Sequence, residues 1–283
     1  MGYKTILTYL PNTRLAIEAL AATKAVAQID NAHVIGLYVA PALRNLGATP
    51  LGASDVTGEL IEQHQEWHRE ESEKTKVLFD KAMGGEAFVF EWRHVDSGRP
   101  DPLDDALDHA RNAELIICPL VGEEDSDFED ERIGERLMME SGRPVLLVPT
   151  GSLIQHVGRH VTLAWDASQQ SSRAAFDALP LLKTADRVQI VWVDPVMPAG
   201  QSRSRAADEI AASLARCGVT CEAVDTQSEG RGIGAELLAR ARDHGSDLLV
   251  MGGYGQSRFR EFIFGGATRD VLRTMTIPVL MSH

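Results

Sequence analysis

Cysteine is scarce in this sequence: Cys118, Cys217 and Cys221 are the only 3 among 283 residues. So odd and sparse a set does not make a disulfide framework and fits a reducing compartment. Long hydrophobic runs are missing as well, since no stretch approaches the roughly 20 apolar residues that span a bilayer. The opening Met1-Gly2-Tyr3-Lys4 leads straight into a strand-like Thr5-Ile6-Leu7-Thr8-Tyr9-Leu10, without the apolar region and cleavage site of a signal peptide. The expectation is a cytoplasmic protein with no membrane partner. Positive charge is also short, with 28 Lys and Arg against 41 Asp and Glu for a net charge of −13. That balance argues against nucleic acid or an anionic membrane as a general partner. Metal-ligand patterns are lacking too. His64 and His68 stand four apart, but in His64-Gln65-Glu66-Trp67-His68 the glutamate is one position late for H-E-x-x-H, and Cys217-Gly218-Val219-Thr220-Cys221 is not C-x-x-C. The histidines read as a solvated or helix-packing pair, and no metal site is expected.

What is present is an ordinary globular composition, 44% hydrophobic and 24% charged, on a chain long enough for two domains with a core each. The acidic excess lies entirely in one part of it. Residues before 150 carry 27 acids and 14 bases, whereas those from 150 onward carry 14 of each. A polyanionic ligand is repelled by the first half and tolerated by the second.

The two halves repeat one another. Gly142-Arg143-Pro144-Val145-Leu146-Leu147-Val148-Pro149 resembles Thr276-Ile277-Pro278-Val279-Leu280-Met281, and Lys4 to Leu10 answers His160-Val161-Thr162-Leu163-Ala164-Trp165-Asp166. Hydrophobic periodicity in the second half predicts strands over 160–166, 187–193, 219–225, 246–252 and 277–282. Helices are predicted over stretches such as 173–182, 206–216 and 233–244. Strands alternating with helices imply an α/β fold, here two tandem open parallel five-stranded sheets flanked by helices in a Rossmann-like arrangement. The domains are expected at 1–150, with a helical insertion near 41–83, and at 156–283. Sheets of this kind take ligands beyond the strand C-termini at a switch point, and Asp166 and Gly252 both fall at strand ends.

The most informative segment is Leu248-Leu249-Val250-Met251 flowing into Gly252-Gly253-Tyr254-Gly255, followed after nine residues by Gly265-Gly266-Ala267-Thr268 at the start of an amphipathic stretch. A buried strand that breaks into glycines lets backbone approach an anion, and a helix starting near Gly266 points free N–H groups and a positive dipole end at the same space. Arg258 and Arg260 lie between the glycines and could close over phosphates. The spacing is neither G-x-x-x-x-G-K-[ST] nor a G-x-G-x-x-G at a first strand. It resembles the G-x-x-G, nine residues, G-[ST] signature of the universal stress protein family, with Gly266 standing where that family usually has Ser or Thr.

The resemblance covers nearly the whole chain as a tandem universal stress protein. It implies an adenine nucleotide α-hydrolase-like fold and an ATP site in the second copy, with AMP or ADP as alternatives and Mg as the companion ion. Residue by residue, it places adenine and ribose contacts on Ala164, Asp166, Val193, Met251 and Gly252. It places phosphate contacts on Gly255, Gly265, Gly266 and Ala267, with Arg258 and Arg260 supplying charge and Thr268 as a partial substitute for the missing hydroxyl. Asp166 reads equally well as a plain helix-capping residue. The first copy has Pro11 in place of Asp166 and, after Pro119-Leu120-Val121-Gly122, an acidic Glu123-Glu124-Asp125-Ser126-Asp127-Phe128-Glu129-Asp130-Glu131, so it is degenerate and one nucleotide site per chain is expected. The expected function is a stress-response protein that binds nucleotide reversibly and signals through contacts with an unidentified protein partner. A slow Mg-dependent ATPase or nucleotidyl transferase, and an interaction protein with a vestigial site, are the alternatives. No catalytic residue is identified, and the sequence leaves homodimer formation open.

Overall fold

The computed structural model describes residues 2–43, 58–120, 130–194, 203–255 and 266–283. In the first half the elements run β1 (Thr5–Tyr9), α1 (Ala16–Ala27), β2 (His33–Ala40), α2 (Gly58–Met83), β3 (Phe90–Asp96), α3 (Leu103–Ala110), β4 (Leu115–Leu120), α4 (Asp130–Glu140) and β5 (Val145–Pro149). The second half repeats the alternation with β6 (His160–Ala164), α5 (Gln169–Asp177), α6 (Leu179–Leu182), β7 (Arg187–Val193), α7 (Arg203–Arg216), β8 (Glu222–Thr226), α8 (Ile233–Asp243), β9 (Leu248–Gly252), α9 (Gly266–Thr274) and β10 (Val279–Ser282). The α/β alternation read from periodicity is borne out. β8 starts at Glu222 rather than 219 and β6 stops at Ala164, because the Asp166 segment already turns toward α5.

The expected pair of five-stranded sheets is one continuous ten-stranded sheet, ordered β3-β2-β1-β4-β5-β10-β9-β6-β7-β8. Within each half all strand pairs are parallel, and the halves join where β5 meets β10 antiparallel, with Val279 opposite Leu147, Leu280 opposite Leu146 and Met281 opposite Val145. The reason lies in the repeated Pro-Val-Leu ending. In each half the last strand would otherwise offer a bare hydrophobic edge, and pairing the two edges removes both.

Parallel strands with helices on both faces are buried on both sides and need apolar residues throughout. Leu248 and Val250 point into one core layer while Leu249 and Met251 point into the other, and Leu146 and Val148 alternate with Val145 and Leu147 in the same way. Each layer therefore runs unbroken through both halves.

Of the insertion expected near 41–83, residues 41–43 and 58–83 are described, and Gly58–Met83 form the 26-residue helix α2. Its histidines make packing contacts. His68 Nδ1 is 2.8 Å from the Tyr38 hydroxyl and His64 Nε2 is 2.9 Å from the Pro41 carbonyl. Among the described residues no group of three or more His, Cys, Asp or Glu is placed to hold a metal ion, and no helix is long and apolar enough to cross a membrane. All three cysteines are free thiols, with Cys118 buried.

Candidate functional site

Strands β6 and β9 lie side by side and their C-terminal ends open on a cavity of about 810 Å³. Its floor is Ala164, Val191, Val193 and Met251, and its walls are the first residues of α5, α8 and α9. Three helix N-termini thus share one space. Each brings backbone N–H groups without intrahelical partners and the positive end of a helix dipole, which together favour an anion. The α8 start has Gly232 at its N-cap, with φ of 90° and no side-chain cap, and Gly232 itself lines the cavity.

Backbone strain gathers at the same place. Among the described residues, non-glycine positive φ occurs at Asn31, Ala167, Asp194, Glu229 and Tyr254. Ala167 follows β6, Asp194 follows β7 and Tyr254 follows β9. Left-handed backbone costs about 1–2 kcal/mol at such residues and concentrates at binding sites. In the turn after β6, Asp166 Oδ1 accepts from Ser168 N at 3.0 Å, and Ser168 Oγ accepts from Ser171 N at 3.1 Å as the N-cap of α5. Asp166 therefore performs the capping-turn role while still lining the cavity. Past β7, hydrogen bonds from Ser228, its hydroxyl first and its backbone N–H second, hold the Asp194 carboxyl below its ordinary range. Ser228 also lines the cavity.

The glycines serve different ends. A Cβ on Gly252 would stand 2.6 Å from Ser171 N and 2.7 Å from the Gln170 backbone carbon, so this glycine exists to let α5 pack on the end of β9. Gly253 does the same for the first half, since a Cβ there would come within 2.3 Å of Met138 Sδ in α4. Gly255 and Gly266 differ. Among the described residues a Cβ on Gly255 meets only Gln170 Oε1 at 3.8 Å, and one on Gly266 meets only Asp270 Oδ2 at 4.0 Å. Those two leave room on the cavity side.

Of the residues singled out from sequence, Ala164, Asp166, Val193, Met251, Gly252, Gly255, Gly266, Ala267 and Thr268 all line this one cavity. Arg258, Arg260 and Gly265 lie outside the described residues, as does most of the acidic stretch of the first half. Gly252, expected as an adenine or ribose contact, lines the cavity, and the space that a Cβ would take there is filled by α5. Thr268 is buried and its Oγ1 accepts from Tyr254 N at 3.3 Å, which ties α9 to the glycine segment.

Asp270 and Gln170 are among the polar groups of the lining that sequence reasoning missed. Asp270 reaches the cavity one turn into α9, beside Gly232 and Gly266, and no spacing rule marks it. Gln170, on the first turn of α5, lines the cavity while only 9% exposed. Its signal was present but faint, a polar residue at the inward position of a helix that starts at a strand end.

At the β1–α1 turn of the first half the described residues make different contacts. Glu71 from α2 accepts from Thr13 N at 2.8 Å, and Thr13 and Thr75 hydroxyls lie 3.2 Å apart. Burial works to raise the Glu71 carboxyl, but the hydrogen bonds from Thr13 prevail and hold it below the usual range. The N–H of Thr13 is thus met by a carboxylate from α2, whereas at the corresponding place in the second half Ser168 N is met by Asp166 of its own turn.

Residues 158–283 match the model of the universal stress protein family. Among solved structures, a universal stress protein from Archaeoglobus fulgidus DSM 4304 superposes with a TM-score of 0.72 at 15% identity, covering 98% of this chain and 97% of its own. A functionally unknown protein from Pseudomonas aeruginosa PAO1 does so with a TM-score of 0.57 at 13% identity, covering 98% and 92%. At those identities the likeness is one of fold, and it extends over both halves. No curated protein matches the sequence.

Proposed function

Because residues 158–283 match the model of the universal stress protein family, we propose that the chain binds an adenine nucleotide reversibly in the cavity of its second half and uses occupancy to alter contacts with a protein partner. The observation that carries this reading is the convergence of the α5, α8 and α9 N-termini on one 810 Å³ cavity whose glycine-bearing rim keeps Gly255 and Gly266 open. The volume suits a nucleotide-sized ligand. The apolar floor formed by Val191, Val193 and Met251 suits a base, and the helix N-termini beside Gly255 and Gly266 suit phosphates.

Mg fits this donor set as a companion of the ligand. Asp166, Asp270 and the hydroxyls of Ser168 and Ser228 supply hard oxygen donors, while too few ligands converge for a cation to be held by protein alone. Mg is commonly bound in that way, through one or two carboxylates together with substrate phosphates. It would supply charge neutralisation between the two carboxylates and the phosphates. ATP is the expected adenylate, with the cytoplasm as the site of action. Reversible binding rather than turnover is the favoured activity, since the residues around the cavity include no histidine, lysine or cysteine poised as a base or nucleophile.

Calorimetric titration of the nucleotide-stripped protein with Mg-ATP, beside a Gly255→Glu/Gly266→Glu variant, tests the reading. Neither new Cβ comes closer than 3.8 Å to any of the described residues, so the variant is expected to fold. One site per chain in the parent, lost in the variant, is the expected result. Absence of heat and of thermal stabilisation at millimolar ATP, ADP and AMP would overturn it, because a ligand of the folded state must stabilise that state.

A further inference from the structure

The Gln170 side chain sits in the cavity wall with an unmet demand. Its Oε1 is buried and has no hydrogen-bond partner among the described residues. Side-chain amide oxygens left in that state are uncommon in folded proteins. The residue is held at its backbone and Cβ. Its backbone is pressed against Gly252, where an added Cβ would come within 2.7 Å of Gln170 Cβ, and the Ser168 cap fixes the first turn of α5 on which it rides. Oε1 points across the cavity rim and comes within 3.8 Å of the Cβ position of Gly255. Among the described residues none supplies a donor to it, and a hydroxyl or amine of a cavity occupant would.

We propose that Gln170 is a specificity-determining residue that accepts a hydrogen bond from a ribose hydroxyl of the bound nucleotide. The inference rests on the nucleotide reading of the site. At neutral pH a nucleotide's phosphates carry little but acceptors, and its donors are the base amine and the sugar hydroxyls. Gln170 lies between Gly252, beside the apolar floor suited to a base, and Gly255, on the rim suited to phosphates. The sugar is the part of the ligand that spans those two regions. A buried acceptor built for a hydroxyl discriminates strongly, because an analogue without the hydroxyl leaves it unmet again.

The test uses the full chain and compares Mg-ATP with its 2′-deoxy and 3′-deoxy analogues by calorimetric titration, in the parent and in Gln170→Met, which keeps the side-chain length and removes the amide. The parent is expected to bind ATP about tenfold more tightly than at least one deoxy analogue. Gln170→Met is expected to bind ATP and that analogue alike, and to melt at or above the parent's temperature without ligand, since the unmet oxygen is gone. Should Gln170→Met fail to fold, Gln170→Asn, which draws the amide back by one methylene, is expected to erase the same discrimination. Three results would overturn the inference while leaving nucleotide binding intact: a parent blind to both hydroxyls, a variant that keeps the full discrimination, or a variant that weakens ATP and both analogues by one common factor, as loss of a phosphate contact would. A folded parent that binds no adenylate removes the nucleotide reading, and this assignment falls with it.

Discussion

Gly252 and Gly255 stand three residues apart in one glycine segment, yet a methyl group added to each meets opposite surroundings. At Gly252 it would collide with the fixed backbone of Gln170 and Ser171 at 2.6–2.7 Å, whereas at Gly255 the described residues leave it open space. Backbone cannot yield as a side chain can, so Gly252→Ala must separate α5 from β9. Overpacking of that kind costs about 1–3 kcal/mol, while Gly255→Ala is expected within about 0.5 kcal/mol of the parent. Urea denaturation of the two variants checks this, and equal midpoints would refute the packing role assigned to Gly252. The sequence pattern marks both glycines equally. Only the position of α5 distinguishes a glycine that seats a helix from one that leaves room for a ligand.

At the scale of elements, α2 shows how an insertion is built into a sheet edge. The helix lays His68 against Tyr38 of β2, with ring centroids 6.1 Å apart, and His94 of β3 stacks on the same tyrosine at 5.5 Å. His94 Nδ1 is 2.6 Å from Ser72 Oγ in α2 and its Nε2 is 3.0 Å from Asp96 Oδ1. Burial, then repulsion from His64 and His94, lowers the His68 pKa from 6.5 to about 4, against weaker opposing pulls from Asp96 and Glu71. The folded state therefore holds His68 neutral where the unfolded chain already protonates it. Stability from this source is complete above about pH 6.5 and is lost as pH falls toward 4, by about 3 kcal/mol in all. His109 and His244 are lowered as well, chiefly by burial, and add to the same limb. Melting temperature followed between pH 7 and 4 is expected to fall less steeply in His68→Gln than in the parent. Parallel curves would mean that His68 titrates normally in the folded protein. The long charged helix and its two histidines were legible in the sequence. The stack on Tyr38 was not, because it joins residues from three elements.

Across the whole molecule, the glycine segment is anchored on the opposite half. Tyr254 lines the cavity and donates its hydroxyl to Glu135 Oε2 in α4 at 2.6 Å, while Gly253 packs on Met138 of the same helix. Ser282 in β10 donates to Asp177 Oδ2 in α5 at 2.8 Å, and Arg173 in α5 reaches the Gly142 carbonyl at 3.2 Å. The cavity lining and the first half are therefore joined by direct contacts, and under the proposed function these contacts are the route by which occupancy would reach α4. Tyr254→Phe and Glu135→Gln are expected to destabilise the protein non-additively, with a coupling of about 0.5–1.5 kcal/mol in a double-mutant cycle. Additive effects would show that the two side chains do not sense each other.

The sequence by itself determined the alternation of strands and helices, the internal repeat, and the place of the glycine segment at the end of a buried strand. These depend on local periodicity and on the few conformations that glycine and proline permit or forbid. The Pro-Val-Leu endings also indicated two matching hydrophobic edges. That those edges fuse into one ten-stranded sheet was decided by tertiary structure, because pairing two bare strands and merging two core layers is a gain no single segment records. Tertiary structure also decided that Gln170 and Asp270 line the cavity, that Glu71 meets Thr13 N in the first half, and that Tyr254 reaches across to Glu135. Each of these joins residues distant in sequence, and their meeting follows only from how the helices pack upon the sheet.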